Sequence, residues 1–271
     1  MLTYYQDYTK EISEMSALYL NISFGAYFAA MVLYAAGLFF AKKILSDFAR
    51  FITICGILSL SFYLGMRWQL AGRPPFSNMF ESLIVLGWAI AVVSVFIDIK
   101  YKIRSIAVGA ALMSLLAIGY ASLLDKEIVP LMPALKSNWL TIHVLTCFIG
   151  YAALSVAFIS SAILLCKRRE DKSLDIISYK MIAFGFLFLT VGVITGSVWA
   201  NSAWGTYWSW DPKETWSLIT WFIYAIYLHA RLKKGWKARR AAWLSVAGFL
   251  AMLFTYFGVN YLLSGLHSYA N

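Results

Sequence analysis

The sequence has few charged residues and few cysteines, and each shortage excludes a class of protein. Only 13% of the 271 residues are charged, about half the share of a soluble domain, whereas 61% are hydrophobic. The three cysteines, Cys55, Cys147 and Cys166, lie far apart and form no CxxC pair. This argues against a disulfide framework, a zinc site and a thiol-exchange motif. The composition therefore predicts an integral membrane protein surrounded by lipid bilayer.

Eight apolar stretches approach the length of about 20 residues that a helix needs to cross a bilayer. No stretch alternates with period two, so the fold class is predicted to be all-α, a polytopic bundle forming a single integral membrane domain over residues 1–271. The N-terminus is polar and has no basic start, so no cleavable signal is expected. The predicted spans are about 17–40, 51–70, 80–98, 105–122, 140–165, 180–199, 214–230 and 241–263.

The basic residues mark the alternate loops of this bundle. Seventeen of the 23 Lys and Arg residues lie in the loops near residues 42–50, 100–104, 167–180 and 231–240. The positive-inside rule makes these loops cytoplasmic, so both termini and the loop near residues 200–213 are predicted to be extracytoplasmic. This distribution also explains the net charge of +10 without a nucleic-acid partner.

Tryptophan is concentrated in one of the predicted outer loops. Six of the 11 tryptophans lie between Trp199 and Trp221, and Trp204, Trp208 and Trp210 fall within seven residues. Such a cluster either anchors the loop in the membrane interface or holds a flat ligand, since indole faces stack on planar π-systems. The following Asp211-Pro-Lys-Glu214 predicts a helix start with Asp211 as its cap.

The three histidines divide into two groups by depth. His143 lies near the outer end of the fifth span, and His267 follows the eighth span on the same side, so the two are able to converge. His229 lies thirteen residues beyond Trp216, roughly 20 Å deeper along a helix. Each histidine taken alone fits an interface or snorkelling residue. Two histidines on one side of the membrane, beside an indole-rich loop, favour a haem with imidazole ligands.

One face of the predicted seventh helix leads to His229. Leu218, Trp221 or Phe222, and Ala225 share that face with it at helical spacing. The face is either ordinary packing or a pocket in which Ala225 leaves room for a flat ring.

Four segments resemble one known family. Together they resemble the tryptophan-rich "WWD" proteins of cytochrome c biogenesis, and the Pro-Lys-Glu-Thr-Trp continuation resembles the CcsA/ResC branch of system II. The resemblance covers most of the chain from Gly72 onward, with the WWD segment at about 199–221. The segments are Trp204-Gly-Thr-Tyr-Trp-Ser-Trp-Asp-Pro-Lys-Glu-Thr-Trp216, Gly72-Arg-Pro-Pro-Phe-Ser-Asn-Met-Phe-Glu81, His143-Val-Leu-Thr-Cys-Phe-Ile-Gly-Tyr151 and Asn260-Tyr-Leu-Leu-Ser-Gly-Leu-His267.

The resemblance implies a function in haem delivery. His143 and His267 match the outer histidines that ligate haem b, and His229 matches an intramembrane histidine that pairs with one on a ResB/CcsB-type partner. The complex would export haem and present it for thioether attachment to a CxxCH apocytochrome c, in a bacterial plasma membrane or a thylakoid membrane. The implied haem-contacting residues are His143, His267, His229, Trp204, Trp208, Trp210 and Asp211.

The sequence leaves open two alternative functions and the identity of the residues that pair with the haem propionates. The chain also fits a haem loader of the CcmC type, which passes haem to a chaperone. A b-type electron-transfer subunit serving quinone is the third interpretation, although the histidines offer no intramembrane pair at one depth. Lys213, Arg73 and Arg67 are all candidates to pair with the haem propionates.

Overall fold

The computed structural model describes residues 2–131, 135–263 and 265, with side chains from Ile12 onward. These residues contain helices and no strand, which confirms the predicted all-α class. The helices are α1 Leu2–Phe39, α2 Lys43–Ala71, α3 Met79–Tyr101, α4 Arg104–Ala121, α5 Asn138–Cys166, α6 Lys172–Trp204, α7 Pro212–Lys233 and α8 Ala238–Leu253, and α8 continues through a π-helical turn, Phe254–Gly258, into α9, Val259–Leu262.

Seven of the described helices are long and apolar enough to cross a membrane, and α8 counts among them together with its continuation to Leu262. The seventh predicted span, about 214–230, corresponds to α7, which has 22 residues but does not meet the same requirement. Its first turn contains Glu214 and its last turn Arg231 and Lys233. These charges shorten the apolar stretch, although a helix of this length reaches about 33 Å.

The chain divides into two compact units. Unit 1, residues 1–130, contains α1 to α4, in which α1 packs against α2 and α4 while α3 packs against α4. Unit 2, residues 131–271, contains α5 to α9, in which α5 and α6 are in the most extensive contact and α8 packs against α5 and α7. The single domain expected from the sequence stays a prediction.

A buried carboxylate organises one end of unit 1. Glu81, in the first turn of α3, is fully buried and accepts hydrogen bonds from Arg67 Nε and Arg73 Nη1, both at 2.9 Å. The same arginines donate through Nη2 to the carbonyl oxygens of Lys126 and Val129, at 3.0 and 3.3 Å. Two of the three candidate propionate partners, Arg67 and Arg73, are thus engaged in joining α2, the start of α3 and the loop after α4.

Candidate functional site

The tryptophan loop, residues 204–210, connects the end of α6 to the start of α7. Gly205 terminates α6 in the left-handed conformation at φ 82°, and Asp211 begins α7. Asp211 Oδ1 accepts from Lys213 N at 2.9 Å, while Glu214 Oε2 accepts from Asp211 N at 3.2 Å and from Ser209 N at 2.8 Å. The capping box expected from Asp211-Pro-Lys-Glu214 is therefore present. The Glu214 carboxylate also holds the end of the loop through its hydrogen bonds from the backbone N–H groups of Ser209 and Asp211.

The loop exposes flat aromatic surface. Trp208 and Trp210 meet edge to face with ring centroids 5.9 Å apart, and Trp210 is 68% exposed. Trp210 also adopts φ 60°, a left-handed backbone that non-glycine residues seldom occupy. Half-buried Trp204 contacts Trp199 of α6 at 4.8 Å, again edge to face. The Trp204 indole therefore packs against α6, whereas the Trp210 indole is exposed and available to stack on a ligand.

His143 is oriented by the neighbouring helix. Its Nδ1 lies 2.7 Å from the carbonyl oxygen of Gly192 on α6, and its ring stacks on Trp199 with a centroid distance of 6.2 Å. A carbonyl oxygen only accepts, so the proton of the neutral imidazole resides on Nδ1 and Nε2 keeps its lone pair. This is the arrangement in which proteins prepare a histidine to ligate a metal.

Close approach of α5 and α6 makes that hydrogen bond possible. A Cβ at Gly196 would lie 2.6 Å from His143 Nδ1, and a Cβ at Gly192 would lie 2.6 Å from Cys147 Sγ. A side chain at Gly196 would collide with the His143 ring, and one at Gly192 would force the Cys147 side chain to move. The sequence reasoning did not identify these two glycines, although Gly192-Val-Ile-Thr-Gly196 has the GxxxG spacing typical of tightly packed membrane helices.

The C-terminal segment is attached to the start of α7. Lys213 Nζ donates to Asn260 Oδ1 at 2.8 Å, and Asn260 Nδ2 donates to the carbonyl oxygen of Tyr256 at 2.7 Å, within the π-helical turn. Burial lowers the pKa of Lys213, which precedes the predicted seventh span, to about 8, while the nearby Asp211 carboxylate opposes the shift. The part played by Asn260 was not predicted, because pairing with Lys213 across 47 positions leaves no local pattern.

The described chain approaches the tryptophan loop again just before His267. A Cβ at Gly265 would overlap Asp211 Oδ2, so Gly265 lies directly against the cap of α7. His267 itself lies outside the described residues, and its convergence with His143 stays a prediction.

His229 lies far along α7 from the tryptophan loop. It is eighteen residues beyond Asp211, about 27 Å along a helix, and its side chain is exposed on this chain. On the same face, Phe222 is 52% exposed and Ala225 is half-buried. The next basic residue, Arg231, pairs with Asp175 of α6 at 2.5 Å. This face of α7 is thus not packed against the rest of unit 2.

Replacing Glu214 with alanine should loosen the tryptophan loop. The change leaves the backbone N–H groups of Ser209 and Asp211 without their acceptor, and loss of comparable caps costs about 1–2 kcal/mol. Chemical unfolding followed by circular dichroism should show that loss, and tryptophan emission should shift to longer wavelength. Glu170→Ala, at an exposed acid of unit 2, is the matched control. Equal unfolding midpoints for the two variants would contradict the assigned role of Glu214.

The fold and the site together define a helical membrane protein that presents an imidazole nitrogen near an aromatic loop. The family profile described as "Cytochrome C assembly protein" matches residues 76–267. The chain is 38% identical to the "Cytochrome c biogenesis protein CcsA" of Guillardia theta, with 92% of this chain and 94% of that protein covered. It is 39% identical to the CcsA of Prochlorococcus marinus (strain NATL1A), covering 83% and 85%.

A solved structure has the same fold. The chain of "Cytochrome c Heme Lyase CcmF" superimposes with a TM-score of 0.70 at 16% identity, over 90% of this chain and 46% of that one. The likeness therefore spans about half of that larger protein and concerns the fold alone. The profile and the CcsA relatives show that this chain belongs to the cytochrome c assembly protein family, in its CcsA branch, and works in cytochrome c biogenesis.

Proposed function

We propose that the chain, with a ResB/CcsB-type membrane partner, carries haem b to the extracytoplasmic side and presents it to apocytochrome c. The observation that carries this proposal is the hydrogen bond from His143 Nδ1 to the Gly192 carbonyl oxygen. It leaves Nε2 as an oriented ligand for haem iron, one aromatic contact away from the tryptophan loop.

The presentation site consists of His143 and His267 as axial ligands and the tryptophan loop as the support of the porphyrin. His143 connects to Trp204 through Trp199, and Gly265 against Asp211 brings the segment before His267 to the same loop. Trp208 and Trp210 supply indole surface for the macrocycle. Asp211 acts as the helix cap that sets the course of the loop.

The receiving site is formed by His229 with a histidine of the partner subunit. The exposure of His229 and Phe222 on α7 supports this assignment, because an ionisable side chain facing lipid is unfavourable unless another chain covers it. Haem enters at this deeper position and then moves outward to the presentation site.

The reaction at the presentation site is addition of two thiols to two alkenes. Each cysteine S–H of the CxxCH acceptor adds across one haem vinyl group, so that sulfur bonds to one vinyl carbon, the other carbon gains a hydrogen, and no oxidant or reductant is consumed. The protein contributes by holding thiol and vinyl in register. The acceptor histidine then displaces one axial imidazole, which releases the product.

The alternation of basic loops supports the orientation. It places the tryptophan loop and both termini outside, in a bacterial plasma membrane or a thylakoid membrane. The membrane-spanning helices themselves are established, and the choice of membrane is part of the proposal.

Spectroscopy of histidine variants tests the two sites separately. The purified full chain is titrated with added haem, alone and co-expressed with its partner, and the visible spectrum is recorded. We expect His143→Ala and His267→Ala each to lose the two-imidazole spectrum. His229→Ala should bind added haem at the presentation site normally but carry less haem when isolated from cells. Unchanged spectra in both the His143 and the His267 variant would overturn the presentation site.

A further inference from the structure

Unit 1 contains a cavity of about 600 Å³ between α1, α2 and the loop that follows α4. Its polar lining residues include Ser13, Asn21 and Tyr63 and the cations Arg67 and Lys126. Among the described residues that line it there are two cations and no carboxylate. None of these groups belongs to the tryptophan loop or to the described histidines.

The charge around the cavity is positive. Arg67 shares the Glu81 carboxylate with Arg73, so these three side chains together carry one net positive charge. Arg67 is 7% exposed and donates to the Lys126 carbonyl oxygen, which holds the Lys126 backbone beside the guanidinium. The nearest acids in the loop, Asp125 and Glu127, are exposed and do not line the cavity. An anion entering the cavity therefore meets a fixed arginine and an adjacent lysine.

The cavity lies at the depth of the membrane interface. Arg67 is four residues before the end of α2 at Ala71, about 6 Å along the helix axis. The remaining lining residues include Ala17, Leu20 and Leu70, which offer apolar contact beside the polar groups. A ligand suited to these surroundings has a charged head and an apolar body.

We propose that this cavity binds the headgroup of an anionic phospholipid. Arg67 and Lys126 contact the phosphate, Ser13 and Asn21 contact glycerol or headgroup hydroxyls, and the acyl chains follow the apolar side of the cavity. The bound lipid would also cover the loop after α4, which Arg67 attaches to α2 through the carbonyl oxygen of Lys126.

Native mass spectrometry of the full chain released from nanodiscs tests this site. In nanodiscs of mixed phosphatidylglycerol and phosphatidylcholine, the native chain should retain one phosphatidylglycerol in preference to phosphatidylcholine. Lys126→Gln should weaken that retention roughly fivefold, the effect of removing one cation from an anionic lipid. Ser16→Phe, which puts a large apolar side chain at the cavity wall, should abolish it. Lys42→Gln, an exposed lysine at the other end of α2, is the matched control.

Several results would overturn the site. Equal retention of the two lipids, or native retention in both Lys126→Gln and Ser16→Phe, would show that the cavity does not select an anionic lipid. Displacement of the lipid by an equal concentration of inorganic phosphate would identify the free anion as the ligand. Retention of added haem in place of the lipid would assign the cavity to haem handling. Haem titration of the same variants should match that of the native chain. The lipid site and the proposed haem function can therefore fail independently.

Discussion

Glu81→Gln is expected to lower the free energy of unfolding by about 3–5 kcal/mol, the cost of leaving a buried charge without its partner. Glu81 is fully buried and receives Arg67 and Arg73 on separate oxygens. Glutamine retains the shape of glutamate but carries no charge and turns one acceptor into a donor. Two buried guanidinium groups then face each other uncompensated, and the loop after α4 loses its attachment as they separate.

The measurement is a denaturant titration of the purified chain in detergent, followed by circular dichroism. Glu127→Gln removes an exposed acid from the loop held by the same cluster and should unfold as the native chain does. Arg73→Met should lower the free energy of unfolding less in the Glu81→Gln background than in the native chain. The Glu81 charge that Arg73 pairs with is already absent from that background. Matching midpoints for Glu81→Gln and Glu127→Gln would show that the cluster contributes no net stability.

The parts of the fold that were predictable depend on neighbours in sequence. Apolar stretches of sufficient length predict membrane helices, and Asp211 with Glu214 predicts a capped helix start, so both were recognised. The bounds of the helices were less predictable, because helices continue beyond the hydrocarbon region. Thus α6 extends over Lys172–Trp204, whereas its apolar stretch covers about 180–199.

Contacts between distant residues were not predictable. Asn78 caps α3 by accepting from Glu81 N at 2.8 Å, as its position suggests, but the sequence gives no sign that the Glu81 side chain turns to Arg67 and Arg73. The same holds for the site. The sequence identifies His143 as a candidate ligand, yet its tautomer depends on Gly192, 49 positions away.

The position of His143 therefore depends on the packing of α5 against α6 as much as on the histidine itself. Gly192 supplies the acceptor for Nδ1, Gly196 supplies the space for the ring, and Trp199 supplies the stacking surface. These three residues occupy one face of α6 at intervals of four and three. The proposed haem site would therefore be disrupted if α5 and α6 separated, even with His143 itself intact.

Gly196→Ala is accordingly expected to weaken haem binding at the proposed presentation site by roughly 10–100-fold, the range for loss of the groups that orient a metal ligand. The added Cβ would lie 2.6 Å from His143 Nδ1 and 2.7 Å from Cε1. The ring must move, and movement breaks the 2.7 Å hydrogen bond to Gly192. The His143 imidazole then loses both its fixed tautomer and the orientation that would direct Nε2 to the haem iron.

Gly65→Ala is the matched control, because a Cβ at Gly65 meets nothing within 4 Å. Glycine to alanine at such an open helical position is neutral or stabilises by about 0.5–1 kcal/mol, so the control should bind haem normally. Haem titration followed by the visible spectrum measures both variants, and circular dichroism confirms that both are folded. Native haem affinity in folded Gly196→Ala would mean that the α6 face does not orient His143. Weak binding with an intact fold would show that the spacing of two helices, rather than the ligand alone, determines how haem is presented.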